Sequence, residues 1–339
     1  MKKKLSVIAF LLAFAMLLCS CGPNSATQQT PSPENSQDTP ADPAASSGWK
    51  PTANINGIVP FAAGGGTDLN MRVISMYAKE YLGADMFITN MGGSGGLIGY
   101  TAIANSEADG SVMGIFAFPG AANASMTENE FTVDRIRYLF CQVIEPKFVA
   151  VAAGSGFNTM QELIDYAKEN PGSLVACNNG AGSSNQIAMY SLSCYGGLDF
   201  THTGYDGAAE MKIAVMGGEA DLMPVGRTEI DESLKPLMVF GKERHADFPD
   251  VPCSYELGIE CDVTAHRIIG VPADTPDEVF DYLMEGFSKM VEDPGYQEAL
   301  AQTGSQGAFI TGSELQDIID YHMDFLTEYN AMCAERGLE

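Results

Sequence analysis

Three times this chain passes from a short strand-like run, through a cluster of glycines, into a segment with helical apolar spacing. The first passage is "INGIVPFAAGGGTDLNMRVISMYAKEY", with Gly64, Gly65 and Gly66 at the turn. The second, "ITNMGGSGGLIGYTAIANSEADG", carries Gly92, Gly93, Gly95, Gly96 and Gly99, with Leu97, Ile98, Ala102 and Ile103 at helical spacing. The third, "SLVACNNGAGSSNQIAMYSLSCYGG", turns through Gly180, Gly182, Ser183 and Ser184. Glycine permits positive φ and lets backbone N–H groups come close to a ligand. A helix starting directly after such a turn, with Thr67 as N-cap in the first case, presents unpaired N–H groups and partial positive charge to an anion. One such turn is as readily a plain connection. Three of them point to an open α/β sheet, in which loops at the carboxyl ends of strands converge on a shared crevice.

A nucleotide phosphate does not fit these turns. GxxxxGK[ST] is absent, and GxGxxG fails in the second and third clusters because Ile98 and Asn185 stand where its last glycine belongs. Nucleophilic catalysis has little local signal either: the GxSxG of Gly92–Gly96 lies within a run of glycines and the SxxK of Ser47–Lys50 comes without its partner motifs, so a triad would have to be assembled from distant residues. Carboxylates are abundant, but in so acidic a chain a pair of them reads as a solvated face. The chain is therefore expected not to be an enzyme.

Of 339 residues 45% are hydrophobic, enough for two α/β domains with buried cores. The net charge of -26 and only 18 Lys and Arg argue against nucleic acid as a partner. An anionic small ligand would have to be held by backbone dipoles and one or two local cations, against an unfavourable long-range field. Lys2, Lys3 and Lys4 followed by the apolar run Leu5 to Leu18 read as an export signal too short for a comfortable membrane span; an uncleaved anchor is the alternative. It closes in "LCSC", which resembles a lipobox with Cys21 as the lipidated residue, although Cys19 is a less common occupant of its position. Residues 22–49, rich in Pro, Ser, Thr, Asn and Gln without apolar periodicity, read as a disordered tether. The expected location is extracytoplasmic, bound to the membrane through that lipid.

Six cysteines follow the lipobox, Cys141, Cys177, Cys194, Cys253, Cys261 and Cys333, and fifteen complete pairings are open to them. Cys253 and Cys261 are the closest pair in sequence, and buried free thiols are an equal alternative. No CxxC and no HExxH occur, and no metal or cofactor is expected.

"VPFAAGGGTDLNMR" and, further on, "NMGGSGGLIGYTAIANSEADGSVMGIF" resemble the paired signatures of the substrate-binding proteins of tripartite tricarboxylate transporters, the Bug family. The resemblance continues through "TMQELIDYAKENPGSL", "YDGAAEMKIAVMGGEADLM" and "VPADTPDEVFDYLMEGFSKMVEDPGYQEAL" to "FLTEYNAMCAERGL", and so covers nearly everything after residue 52. It implies a type II periplasmic binding protein: two α/β domains joined by crossover hinge strands, with the ligand in the cleft between them. Domain one would be residues 50–149 and 265–339, domain two residues 150–264. "RYLFCQVIEPKFVAVAA" would be the outward crossing and "VTAHRIIGVPA" the return. The implied activity is capture of a small di- or tricarboxylate, by a monomer, for a two-component membrane permease. Presentation of a ligand to a sensor kinase, and an amino acid as ligand, stay open.

In the family the first two turns act as a pincer on one ligand carboxylate, and the domain-two loops read the rest. Carried onto this chain, the implied contacts are Phe61, Gly64, Gly65, Gly66, Thr67 and Asp68, then Gly93, Ser94 and Gly95, then Gly182, Ser183, Ser184 and Asn185. Asn185 stands where the family often has histidine, and "TGYDG" puts Tyr205 and Asp206 in the place of a Val-Pro-Tyr-Lys-Gly block. Asp68 is expected to cap backbone N–H groups in the turn. Arg227 and Arg267 are the cations placed to face the cleft; each could fork a second carboxylate or form an ordinary salt bridge.

Overall fold

Strands and helices alternate through much of the described chain. The computed structural model describes residues 48–338. The export signal, the lipobox with Cys21 and most of the tether lie outside the described residues. In chain order the elements are β1 (Ile55–Val59), α1 (Gly66–Tyr81), β2 (Met86–Asn90), α2 (Leu97–Ala104), β3 (Val112–Phe118), α3 (Gly120–Ser125), β4 (Ile136–Pro146) and β5 (Phe148–Ala152). There follow α4 (Met160–Glu169), β6 (Val175–Asn178), α5 (Ser184–Gly196), β7 (Thr201–Gly204), α6 (Ala208–Gly217), β8 (Leu222–Val225) and β9 (Leu234–Val239). The chain ends with β10 (Thr264–Pro272), α7 (Asp277–Glu292), α8 (Pro294–Gln302), β11 (Gly307–Ile310) and α9 (Gly312–Arg336).

The strands form two sheets, ordered β11-β4-β10-β3-β1-β2 and β7-β6-β8-β5-β9. In the first, β1 runs parallel to β2 and β3, and β10 and β11 are antiparallel to their neighbours. In the second, β6 runs parallel to β7 and β8, and β5 is antiparallel to β8 and β9. The chain crosses between sheets at Lys147, just before the expected boundary at 149/150, and returns between β9 and β10. Lys147 pins both crossings, its N–H donating to Val263 O at 3.0 Å and its carbonyl accepting from Phe240 N at 2.8 Å.

Helix starts follow the local sequence. Ser183 caps α5 by accepting from Gln186 N, Thr159 caps α4 by accepting from Glu162 N, and Asp293 with Pro294 starts α8. The start of α1 departs from expectation: Gly65 is its N-cap and Thr67 lies in the first turn. Asp68 replaces the capping hydroxyl, its Oδ2 accepting from Gly64 N at 2.9 Å. In α7 the apolar residues Val279, Leu283, Phe287 and Met290 recur at helical spacing and are buried against the first sheet's core.

One core lies under α1, α7 and α8, with Met71, Ile74, Phe140 and Phe287 at its centre. A second packs α6 on the smaller sheet through Met211, Val215 and Met223. A third is continuous between the sheets, running from Tyr100, Phe116 and Phe118 to Leu192 on α5 and Leu326 and Tyr329 on α9. Among the described residues no helix is long and apolar enough to cross a membrane.

Candidate ligand-binding cleft

Parallel pairing puts the carboxyl ends of β1, β2 and β3 side by side, and those of β6, β7 and β8 likewise. The loops that follow these strands face each other across a narrow cleft. Phe61, Ala62 and Gly65 to Asp68 line it after β1, Asn179 and Ser183 to Asn185 after β6, Ala208 after β7 and Glu229 after β8; Lys147, Ala265 and Arg267 come from the crossings. The first and third glycine turns open onto this crevice, while the second does not.

The third glycine of the first turn has a steric reason to be there. A Cβ on Gly66 would lie 2.5 Å from Thr228 Oγ1, 2.6 Å from Arg267 Nη2 and 2.8 Å from Glu229 Oε1. Close approach of those three groups to the start of α1 therefore requires a hydrogen there. Gly226 plays the same part for Glu145, whose carboxylate would meet any Cβ at that position.

Four charged groups meet here. Arg267 Nη2 donates to Glu145 Oε2 at 2.6 Å, and both side chains are almost wholly buried. With the Asn70 amide oriented to satisfy both its ends, its oxygen accepts from Arg267 Nη1 at 3.0 Å. Burial raises the Glu145 carboxyl, but the charges of Arg267 and Lys147 outweigh it and hold the group below the ordinary glutamate value. Lys147 is 6% exposed, and among the described residues its ammonium has no hydrogen-bond or ion-pair partner. Desolvation lowers its pKa, and attraction to Glu145 and Glu229 offsets only part of that. Glu229 Oε1 accepts from Gly66 N at 2.8 Å and its Oε2 from Gly226 N at 2.7 Å.

Opposite stands a neutral polar wall. Asn185 Nδ2 donates to Asn179 Oδ1, while Asn185 Oδ1 is buried without a partner. Ser184 Oγ accepts from Gly120 N at 2.9 Å and donates to Ala117 O at 3.2 Å, so it ties α5 to the end of β3. Asp68 is held low, because Arg72, Gly64 N and Asn90 more than offset the effect of its burial.

The sequence-predicted residues divide into two groups. Phe61, Gly65, Gly66, Thr67, Asp68, Ser183, Ser184, Asn185 and Arg267 come together in the cleft. Gly64 stands at the turn's outer edge with φ +90°. Gly92 backs onto Phe61 and Ala62, but Gly95 packs directly on the Ala181 carbonyl. Ser94, Gly95 and Gly182 accordingly line a separate hollow against α9, with Gly93 beside them, and do not join the first turn in a pincer. Tyr205 packs on the α6 core, and Asp206 is exposed, with its N–H on Glu210 Oε2. Arg227 faces away from the cleft: its Nε donates to Asp247 Oδ2 at 2.7 Å and its guanidinium lies over Phe248.

Sequence reasoning passed over Lys147, Glu145, Asn179 and Glu229. Glu145 and Lys147 flank Pro146 in an otherwise apolar run, and that was the available signal. Glu229 had none, because its role depends on a turn from the other sheet.

Two α/β units joined by crossing strands, with a polar cleft between loops at strand carboxyl ends, define a solute-binding protein of the type II periplasmic binding fold. Residues 70–338 match the family model described as the tripartite tricarboxylate transporter family receptor, TctC, and the chain belongs to that family. It is 30% identical over 258 residues to the UPF0065 protein in the gbd 5' region of Cupriavidus necator, a match covering 74% of this chain and 79% of that one. It is similar to the periplasmic binding protein BugD, with TM-score 0.77, 24% identity and coverage of 85% and 99%. It is similar also to MatC from Rhodopseudomonas palustris with bound malate, with TM-score 0.76, 21% identity and coverage of 83% and 99%. The chain is thus an extracytoplasmic receptor of binding-protein type and not an enzyme.

Proposed function

We propose that this receptor captures a small di- or tricarboxylate between the two sheets and delivers it to a two-component membrane permease. The observation that carries the reading is the convergence of buried Lys147, buried Arg267 and the N-terminus of α1 on one cleft. A buried cation without a partner is costly, and an incoming carboxylate offsets that cost. The similar fold of a malate-bound protein supports the same ligand class. The two sheets mark lobes that close by a hinge at the Lys147 crossing and at the return into β10. Cys21 carries a lipid that tethers the receptor, acting as a monomer, to the outer face of the membrane.

An amino acid is the second reading, favoured by Glu229 and Asn185 Oδ1, which could accept from an ammonium group. A thermal-shift panel of mono-, di- and tricarboxylates, amino acids and sugars separates the two. A ligand at a hundred times its Kd stabilises by about 2.7 kcal/mol, a shift of several degrees for a chain of this size. Stabilisation by a di- or tricarboxylate is the expected result; a response to sugars alone, or to none of the panel, overturns the proposal.

A further inference from the structure

The N-terminus of α1 already holds a carboxylate, and it belongs to the protein. Glu229 arrives from the loop after β8, in the second sheet, and accepts from Gly66 N at 2.8 Å in the first. Its other oxygen stays on Gly226 N, in its own loop, at 2.7 Å. One side chain therefore bridges the two sheets across the mouth of the cleft. It also occupies the N–H group that a ligand carboxylate would need.

Two further observations bear on this contact. Lys147 lines the same cleft, is 6% exposed and has no hydrogen-bond or ion-pair partner among the described residues, while Glu145 and Glu229 attract it from a distance. Asn185 lines the same cleft, and its Oδ1 is buried and unpartnered. Glu145 is committed to Arg267, so Glu229 is the carboxylate whose charge can be exchanged without stranding a buried guanidinium.

We infer that Glu229 is a tethered stand-in for the ligand, one that latches the cleft and sets its specificity because only an anionic group can displace it. A carboxylate taking its place keeps the charge around Lys147 balanced. A neutral ligand would expel a negative charge and leave the lysine with only the attraction of Glu145, a carboxylate already paired with Arg267. Two carboxylate anions crowded onto one N–H donor repel each other and each weakens the other's bond, so binding at Gly66 competes with retention of Glu229. This inference rests on the carboxylate reading of the cleft, but its latch component does not.

The test uses the full chain and the variants Glu229→Ala and Glu229→Gln. Without added ligand, small-angle X-ray scattering should show a larger radius of gyration for Glu229→Ala than for the parent, because the bridge between the sheets is gone. Titration with malate, succinate and citrate by calorimetry should give Glu229→Ala a lower Kd, on the order of tenfold for one charge-assisted hydrogen bond no longer in competition. Glu229→Gln, which keeps one acceptor but turns an amide N–H toward Gly226, should fall between. Unchanged compactness with unchanged Kd overturns the inference. Weaker binding in Glu229→Ala, with glutamate or aspartate titrated alongside as the ligand most affected, also overturns it, since Glu229 would then be reading an ammonium group. If no carboxylate binds any variant, the functional reading fails while the scattering result still decides the latch.

Discussion

Glu145 and Arg267 form an ion pair of 2.6 Å with both side chains within a few per cent of full burial. They stand on neighbouring antiparallel strands, β4 and β10, whose register pairs Glu145 with Ala265 and Arg267 with Val143, so the two charges meet on the diagonal. These are the crossing strands, and the pair lies where the two sheets join. Taking one charge away leaves the other buried without its hydrogen-bonded ion-pair partner.

Arg267→Met is accordingly expected to cost about 3–5 kcal/mol, whereas the double variant Glu145→Leu, Arg267→Met should recover much of that loss. Urea denaturation of both, read by far-UV circular dichroism, checks it. A single variant no worse than the double would mean that the pair is not the anchor of this junction.

Gly66→Ala should weaken carboxylate binding by more than tenfold and lower stability by about 1–3 kcal/mol, the usual cost of forcing a methyl into a packed contact. Gly217→Ala, at the end of α6 with open space at its Cβ, is the control and should leave both quantities unchanged. Calorimetric titration and thermal melts of the two variants compare them directly.

Stability should fall as pH drops below about 6.5. Burial lowers the pKa of His202 and His266 to about 4 and of His322 to about 3, the last helped by its neighbour His266, whose Nδ1 lies 2.9 Å from His322 Nε2. In the unfolded chain these rings take protons near pH 6.5, while in the fold they stay neutral. Between the two values the unfolded state binds more protons, so stability rises with pH across that window and is lost on acidification. Each ring contributes a slope of up to about 1.4 kcal/mol per pH unit. His322→Leu should flatten the Tm-against-pH curve from pH 6.5 to 4.5 by one ring's share, and an unchanged slope would remove His322 from the account. Glu145 and Asp68, held low, add to the acid loss only below the carboxylate range.

All six cysteines among the described residues are free and buried. Desolvation pushes Cys141, Cys177, Cys194 and Cys261 up to about 12, so thiolate is scarce at neutral pH. A disulfide-exchange reagent should find none of them in the native protein and all six after denaturation. Cys194 and Cys333, joined across α5 and α9 at 3.6 Å, are the pair that an oxidant should couple if any.

Much of the architecture was legible because it rests on short-range rules. The glycine turns and the strand-turn-helix order each depend on residues within one turn of each other. Thr67 was misread as a cap because its neighbour Asp68, one residue further on, reaches back to Gly64 instead. Arg227 and Arg267 look alike in sequence, both at the end or start of an apolar run. What separates them is that Arg267 sits on a strand facing Glu145 while Arg227 follows a strand end and turns out to Asp247.

The sequence by itself determined that the chain is α/β, that its turns expose backbone N–H groups, and that any anionic ligand would have to be held by few cations in a very acidic protein. Only the tertiary structure decided which groups line the cleft. Lys147 becomes a site residue because both crossings close around it, and Glu229 because a loop from one sheet meets a helix start from the other. Such meetings are set by packing between segments more than a hundred residues apart, as with Gly66 and Glu229 at a separation of 163. Local propensity carries no information at that distance, whereas burial and charge pairing, once the sheets have docked, leave little freedom.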